Sequence, residues 1–325
     1  MSSRETVFVT GGSGFIGAAV VAKLLESGRR CVVLDRVAPE ESDCEFRPLD
    51  IMDLAACTEA LAGAENVVHL AGLVAGPANA SPHQAVAVNI LGTANVLEAC
   101  RTAGAKRVVY ASTFFVYEDC GLDEVDETTQ LDLCPMGPFA RSKFVCEQIA
   151  RDYEKKYKLS TAGLRIGSVY GPGRGSNVVN DFVAQAVRGE EIVVWGEGRR
   201  HRQFVFVDDI GDAALSALTS TANGAFNIAG AEQTTTREVL EAIAARLPST
   251  KVSFDATKSE KVQPYRMRLE RARTEIGWEP RTSIAEGIDR TLAWFSKASF
   301  QEGAPEPAPR PAPSHPAKLE KATAP

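Results

Sequence analysis

The stretch GPFARSKF at positions 137–144 sets a lysine, Lys143, four residues after an aromatic ring, Phe139, where a helical pattern begins. That spacing puts both side chains on one face of a helix, one turn apart. A phenol at the first position, beside the ammonium at the second, would make a proton carrier. Free tyrosine, with a pKa of about 10, is too weak an acid to serve as a base at neutral pH, and a neighbouring cation stabilises its phenolate. Phe139 keeps the ring and discards the hydroxyl, so the pair as written has a cation and no phenolic proton.

A second chemistry is written into VFVTGGSGFIG, residues 7–17, whose glycines 11, 12, 14 and 17 lie between a β-branched run and an amphipathic stretch. Such a turn needs glycine's permissive backbone, and the N-terminus of the following helix offers unpaired N–H groups to a pyrophosphate. The position after a first strand and before a helix is the context that gives the pattern meaning. The next apolar run, RCVVLD, ends in Asp35, 18 residues beyond Gly17. A carboxylate there accepts ribose hydroxyls and repels a 2′-phosphate, which points to NAD rather than NADP; Arg36 beside it is the feature that would accommodate the phosphate.

The elements that must position these groups follow from the apolar pattern. Runs at 6–11, 30–35, 66–72 and 107–113 read as strands, and 15–28, 53–63 and 89–104 as helices. Continuously apolar strands alternating with helices mean a parallel sheet covered on both faces. A helix from the SKF segment to about residue 157 and one further strand over 160–171 continue the series. The fold class is α/β: a Rossmann-type doubly wound sheet with a smaller C-terminal α/β domain. The expected division is an NAD-binding unit over 1–165 and a second region over 166–298, with the chain returning to the first unit around 201–222. The Pro/Ala-rich segment 299–325 has too few large apolar residues to order itself and reads as a disordered tail.

Composition narrows the function classes. The 325 residues suffice for a sizeable core, and a net charge of −6 argues against broad nucleic-acid binding. No apolar run approaches the roughly 18–20 residues of a membrane span. The N-terminus enters a strand at once, leaving no room for a signal peptide. Cys31, Cys44, Cys57, Cys100, Cys120, Cys134 and Cys146 are scattered, and the four histidines lie far apart. That usage fits a reducing cytoplasm and gives no metal site.

With these motifs in hand the chain resembles the extended short-chain dehydrogenase/reductases, in particular the NAD-dependent nucleotide-sugar epimerase/dehydratase group. The likeness runs from about residue 6 to residue 296 through TGGSGFIG, HLAG (69–72), NILGTANVLEA (89–99), VVYAST..VY (108–117), P(F)ARSK (138–143), LRIGSVYGPG (164–173), RQFVFVDD (202–209) and IGWEP (276–280). The resemblance implies a catalytic Ser/Thr, Tyr and Lys, which fall on Thr113, Phe139 and Lys143. It implies cofactor contacts from Gly11, Gly14, Phe15 and Ile16, from Asp35 and Arg36, and from Asp50 and Ile51. Leu70, Ala71, Gly72 and Asn89 complete that set with Lys143. Substrate contacts fall on Thr113, on Ser168 where the family has Asn, on Trp195 and on Arg202, with Gln203 where an Asp often follows. The implied partner is a nucleotide diphosphate sugar, with UDP the commonest nucleotide, and the resemblance makes 166–298 the substrate-binding, nucleotide-sugar-binding region. A homodimer built on helices around 89–103 and 142–157 is implied too.

Family dehydratases and decarboxylases resemble one another in carrying an acidic residue just after the catalytic Thr. Here Phe114 and Phe115 stand there, which argues against elimination and favours a 4-epimerase over a ketoreductase or dehydratase. Three explanations of Phe139 stand open. It is an introduced Tyr→Phe change; or a natural residue with another base, Tyr117, Cys120 or Cys134 being near in sequence; or the mark of a non-catalytic binding protein.

Overall fold

The computed structural model describes residues 5–40, 43–118, 120–132, 136–173, 175, 177–258 and 265–299. The expected tail lies outside them, apart from the helix end at Ser299, and so does Cys134. Seven strands form the main sheet: β1 (Thr6–Thr10), β2 (Arg30–Asp35), β3 (Glu45–Pro48), β4 (Asn66–His69), β5 (Arg107–Thr113), β6 (Ser160–Ile166) and β7 (Gly224–Ile228). Their order is β7-β6-β5-β4-β1-β2-β3, and every neighbouring pair is parallel. The order reverses between β1 and β4, where a doubly wound sheet opens its ligand crevice at the strands' carboxyl ends.

Alternation along the strands divides the core. Val7 and Val9 of β1 face one layer, with Val20, Val21 and Leu24 of α1 (Phe15–Glu26). Phe8 faces the other layer, with Val96, Leu97 and Cys100 of α2 (Gly92–Ala103) and Ala150 of α3 (Pro138–Tyr157). A helix from the second half of the chain, α4 (Val207–Thr219), joins the first layer through Ile210, Ala213, Ala214 and Ala217. The smaller C-terminal cluster gathers the helices Val178–Val187, Thr236–Arg246 and Ile284–Ser299 around Phe182, Val183, Ile243 and Ile288. The second of these opens with a capping box between Thr235 and Glu238.

Three details depart from the sequence pattern. The expected helix over 89–104 is entered through a π-helical turn, Ala85–Leu91, that carries Asn89. The single strand expected over 160–171 breaks at Gly167, where a Cβ would stand 3.0 Å from Ala229 Cβ and 3.2 Å from Gln203 O. Its first part is β6, and its second, Ser168–Tyr170, leaves the sheet to pair with Phe204–Phe206. Finally, β7 completes the main sheet beside β6, so the returning chain contributes residues beyond 222.

Candidate active site

At the end of β1 the chain turns at Gly11, which has φ +72° and donates its N–H to Leu34 O at 2.9 Å. Backbone meets backbone throughout this loop. A Cβ on Gly17 would stand 2.0 Å from Gly11 O, and one on Gly11 would stand 2.5 Å from Ala71 N. Gly14 is the N-cap of α1 and makes no side-chain cap, so the first N–H groups of that helix, beginning with Phe15 and Ile16, face the loop. The ring of Phe15 is lodged against Gly173 and Gly175, for a Cβ on Gly175 would stand 2.4 Å from its Cδ1. The expected glycine, Phe15 and Ile16 positions therefore share one cradle.

Asp35 closes the edge of that cradle. Its carboxylate accepts the N–H of Ser13 at 3.2 Å and of Arg36 at 2.7 Å, which ties the end of β2 to the glycine turn. The Arg36 side chain is exposed. Asp50 accepts the Met52 N–H at 3.0 Å, and the Ile51 carbonyl accepts Asn95 Nδ2 from α2 at 3.0 Å.

The loop after β4 forms the floor. Leu70 N donates to Thr10 O at 2.9 Å, and Asn89 clamps Leu73 by accepting its N–H at 2.7 Å and donating to its carbonyl at 3.2 Å. The π-helical turn aims Asn89 at this loop and also at α3: its Nδ2 donates to Ser142 Oγ at 2.9 Å, which donates to Phe139 O at 2.7 Å. Lys143 follows directly. A Cβ on Gly72 would stand 3.3 Å from Lys143 Nζ, so the ammonium lies against the cradle's floor. Burial pushes the Lys143 pKa below its ordinary value, and among the described residues no carboxylate pairs with it. Beneath, His69 bridges Thr10 Oγ1 and Thr93 Oγ1, and burial, with the Lys143 charge second, pulls its pKa down to about 3.

Thr113 is the last residue of β5 and caps a short 3₁₀ turn, Phe114–Tyr117, by accepting the Phe115 N–H at 3.3 Å. Phe139 opens α3 one turn before Lys143, and its ring meets Phe115 edge-on with centroids 6.1 Å apart. The structure thus brings Thr113, Phe139 and Lys143 to one corner. Tyr117 is not a substitute base there. It is fully buried, its hydroxyl donates to Asn227 Oδ1 at 2.8 Å and accepts from Arg165 at 2.7 Å, and burial raises its pKa to about 12.

Ser168 and Arg202 line one small cleft with Phe114 and Tyr265. Tyr265 reaches Thr113's neighbour directly, its hydroxyl donating to Phe114 O at 3.1 Å. Gln203 lines the same cleft, and its buried amide donates to Gly230 O and Met267 O and accepts the Met267 N–H, pinning the strand Arg266–Met267. Trp195 stands apart from that cleft's lining. It is 42% exposed on the strand Glu191–Trp195, with Lys258 Nζ 4.6 Å from its ring centroid, so it is not ordinary core.

The family model described as the NAD dependent epimerase/dehydratase family matches residues 7–229, from the glycine turn to the end of β7. The chain belongs to that family. Among its relatives is the UDP-glucose 4-epimerase of Mycolicibacterium smegmatis, 32% identical over 312 residues, covering 90% of this chain and 98% of the relative. The Thermotoga maritima UDP-glucose 4-epimerase, solved with UDP-glucose, superposes with a TM-score of 0.83 at 28% identity, covering 90% and 99% of the two chains. MoeE5, solved with UDP-glucuronic acid and NAD, superposes with a TM-score of 0.81 at 27% identity over the same shares. The cofactor of this epimerase/dehydratase family, NAD, fits the residues present, because only glycine packs at 11, 12 and 17, the first N–H groups of α1 have no side-chain cap, and Asp35 stands at the rim.

Sequence reasoning passed over one of the site's supports. Glu147, one turn beyond Lys143, grips Arg165 of β6 through two hydrogen bonds of 3.0 and 2.7 Å. Arginine inside an otherwise apolar strand was the available signal. His69 and Gln203 stood out only as members of their motifs, and the buried hydrogen bonds they make had no local signal. No described helix is long and apolar enough to cross a membrane.

Proposed function

We propose that this chain is an NAD-dependent UDP-sugar 4-epimerase framework that lacks its proton carrier at Phe139. The observation that carries the reading is the corner where Thr113, Phe139 and Lys143 meet, beside the Ser168 and Arg202 cleft, on a turn whose residues are Phe114 and Phe115 rather than carboxylates. Elimination needs an acid or base at that turn. Epimerisation at C4 needs only loss of the hydroxyl proton from oxygen and of the hydride from C4, rotation of the 4-keto sugar, and return of the hydride to the opposite face of C4 as the oxygen regains its proton. NAD, when bound, accepts the hydride and gives it back, so nothing is consumed.

The chain's own residues divide the remaining work. Thr113 Oγ1 already accepts the Phe115 N–H, and its own hydrogen remains for the sugar oxygen. The Lys143 ammonium holds the nicotinamide ribose and, where a tyrosine is present, stabilises the phenolate. Arg202 meets the diphosphate in a guanidinium fork, and Ser168 reaches a sugar or phosphate oxygen. Trp195 offers a face to the base. Phe115 and Phe139 keep water from the reacting carbon. UDP as the nucleotide is supported by the ligands of the similar structures. We assign the chain a homodimer through α2 and α3, with Leu91, just before α2, and Tyr157, at the end of α3, exposed.

Phe139 favours a second reading, a protein that binds NAD and a sugar nucleotide without turnover. The deciding experiment follows C4 epimers of UDP-hexoses and UDP-hexuronates by NMR for the chain as it stands and for Phe139→Tyr. A general acid–base group contributes about 10²–10⁴-fold, and a gain of that order is expected from the tyrosine. Equal turnover by both forms would move the proton carrier elsewhere. Silence from both, with UDP-sugar still bound, would favour the second reading.

A further inference from the structure

Glu147 and Arg165 are both buried, with side-chain exposures of 5% and 6%, and lie beside the reaction corner without belonging to it. Exchanging such a pair for apolar residues is often neutral or stabilising, so stability alone gives no reason for two charges here. What the pair touches gives one. Ser112 Oγ donates to Glu147 Oε1, and Ser112 is the residue before Thr113. In the sheet register Ser112 stands opposite Arg165. Arg165 Nη1 donates to the Tyr117 hydroxyl at the far end of the turn that Thr113 caps. Glu147 itself lies on α3 four residues after Lys143, on the same helix face.

We infer that Glu147 and Arg165 are positioning residues that set the spacing between the Thr113 hydroxyl and the Lys143 ammonium. The carboxylate fixes the strand end through Ser112, the guanidinium fixes the turn through Tyr117, and the fork between them fixes both to the helix that carries the lysine. Two parallel N–H···O contacts fix direction as well as distance, which one contact between flexible chains does not. The Glu147 charge, engaged twice by Arg165, makes no ion pair with Lys143 and leaves that ammonium for the ribose. The inference rests on the reading of Thr113 and Lys143 proposed above.

The test uses the full chain and compares it with Glu147→Gln, Arg165→Met and the double variant, reading melting temperature and the affinities for ADP and NAD by calorimetry. ADP engages the glycine cradle and Asp35 alone, whereas NAD also reaches Lys143. Each single variant leaves one buried group without its partner and is expected to melt early. The double variant leaves no uncompensated charge and is expected to melt close to the parent. It is nonetheless expected to bind ADP as the parent does and NAD about tenfold more weakly, the loss of one charge-assisted contact. In a Phe139→Tyr background that turns over, kcat should fall by up to about a hundredfold with KM little changed. Recovery of NAD affinity together with melting temperature in the double variant would overturn the inference, as would a parallel loss of ADP and NAD. A parent chain that binds NAD no better than ADP would remove the lysine's role itself, and with it both readings.

Discussion

His69 is held neutral by its surroundings, and this has a measurable cost in acid. The imidazole lies between the Thr10 and Thr93 hydroxyls at 2.7 and 3.0 Å, fully enclosed, and burial is the first cause of a pKa of about 3 against the ordinary 6.5, with the Lys143 charge second. Between those two values the unfolded chain binds a proton that the folded chain refuses, so stability falls as pH falls below 6.5 and the loss is complete near pH 3. Each pH unit in that window is worth about 1.4 kcal/mol, which gives roughly 2 kcal/mol by about pH 5. The perturbation is His69→Asn, a neutral amide that cannot titrate. Urea unfolding of both proteins at about pH 7.5 and about pH 5 cancels the carboxylates they share. The parent is expected to lose roughly 2 kcal/mol more than the variant. The same pH dependence in both would mean that His69 takes up its proton without unfolding, and the account of a dry, neutral imidazole would fail.

Other substitutions probe the cradle. Gly17→Ala places a methyl 2.0 Å from Gly11 O, so the turn must move; circular dichroism should be retained while NAD affinity falls, and unchanged affinity would refute the cradle. Asp35→Ala removes the carboxylate that repels a 2′-phosphate and should raise the NADP-to-NAD affinity ratio by about tenfold or more in a filter-binding competition. Lys143→Met removes a buried ammonium and should melt higher than the parent while binding NAD less tightly. Because burial lowers the folded pKa of Lys143, the unfolded chain binds the extra proton above it. The melting advantage is therefore largest below that lowered value and shrinks as pH climbs towards 10.5.

The groups readable in the sequence were those whose function depends on near neighbours in the chain. The glycine turn and the Phe139–Lys143 spacing are local facts of backbone geometry, and Asp35 follows a strand whose end is marked by its own last residue. The strand Glu45–Pro48 escaped because it is a four-residue edge strand with no fully buried side chain, so it has no apolar run to announce it. The break at Gly167 depends on Ala229 and Gln203, which no local pattern foretells. Tyr117 shows the converse. Near Thr113 in sequence, it looked available as a base, but Arg165 and Asn227, 48 and 110 residues away, take its hydroxyl.

The place of β7 in the sheet governs how this chain can be made. During synthesis the first six strands and their helices emerge before Gly224–Ile228 exists, and until then β6 is an open edge. Arg107 waits as well: its guanidinium reaches Ala217 O, Ala222 O and Asn223 Oδ1, all more than a hundred residues downstream. The nascent sheet is thus incomplete, with a bare strand and an Arg107 guanidinium that has only Ser160 Oγ of its four partners, and it closes only when Gly224–Ile228 has been made. Cutting the chain after β6 would recreate that half-built state permanently. The sheet that carries the glycine turn is therefore finished only by residues from the second half of the chain.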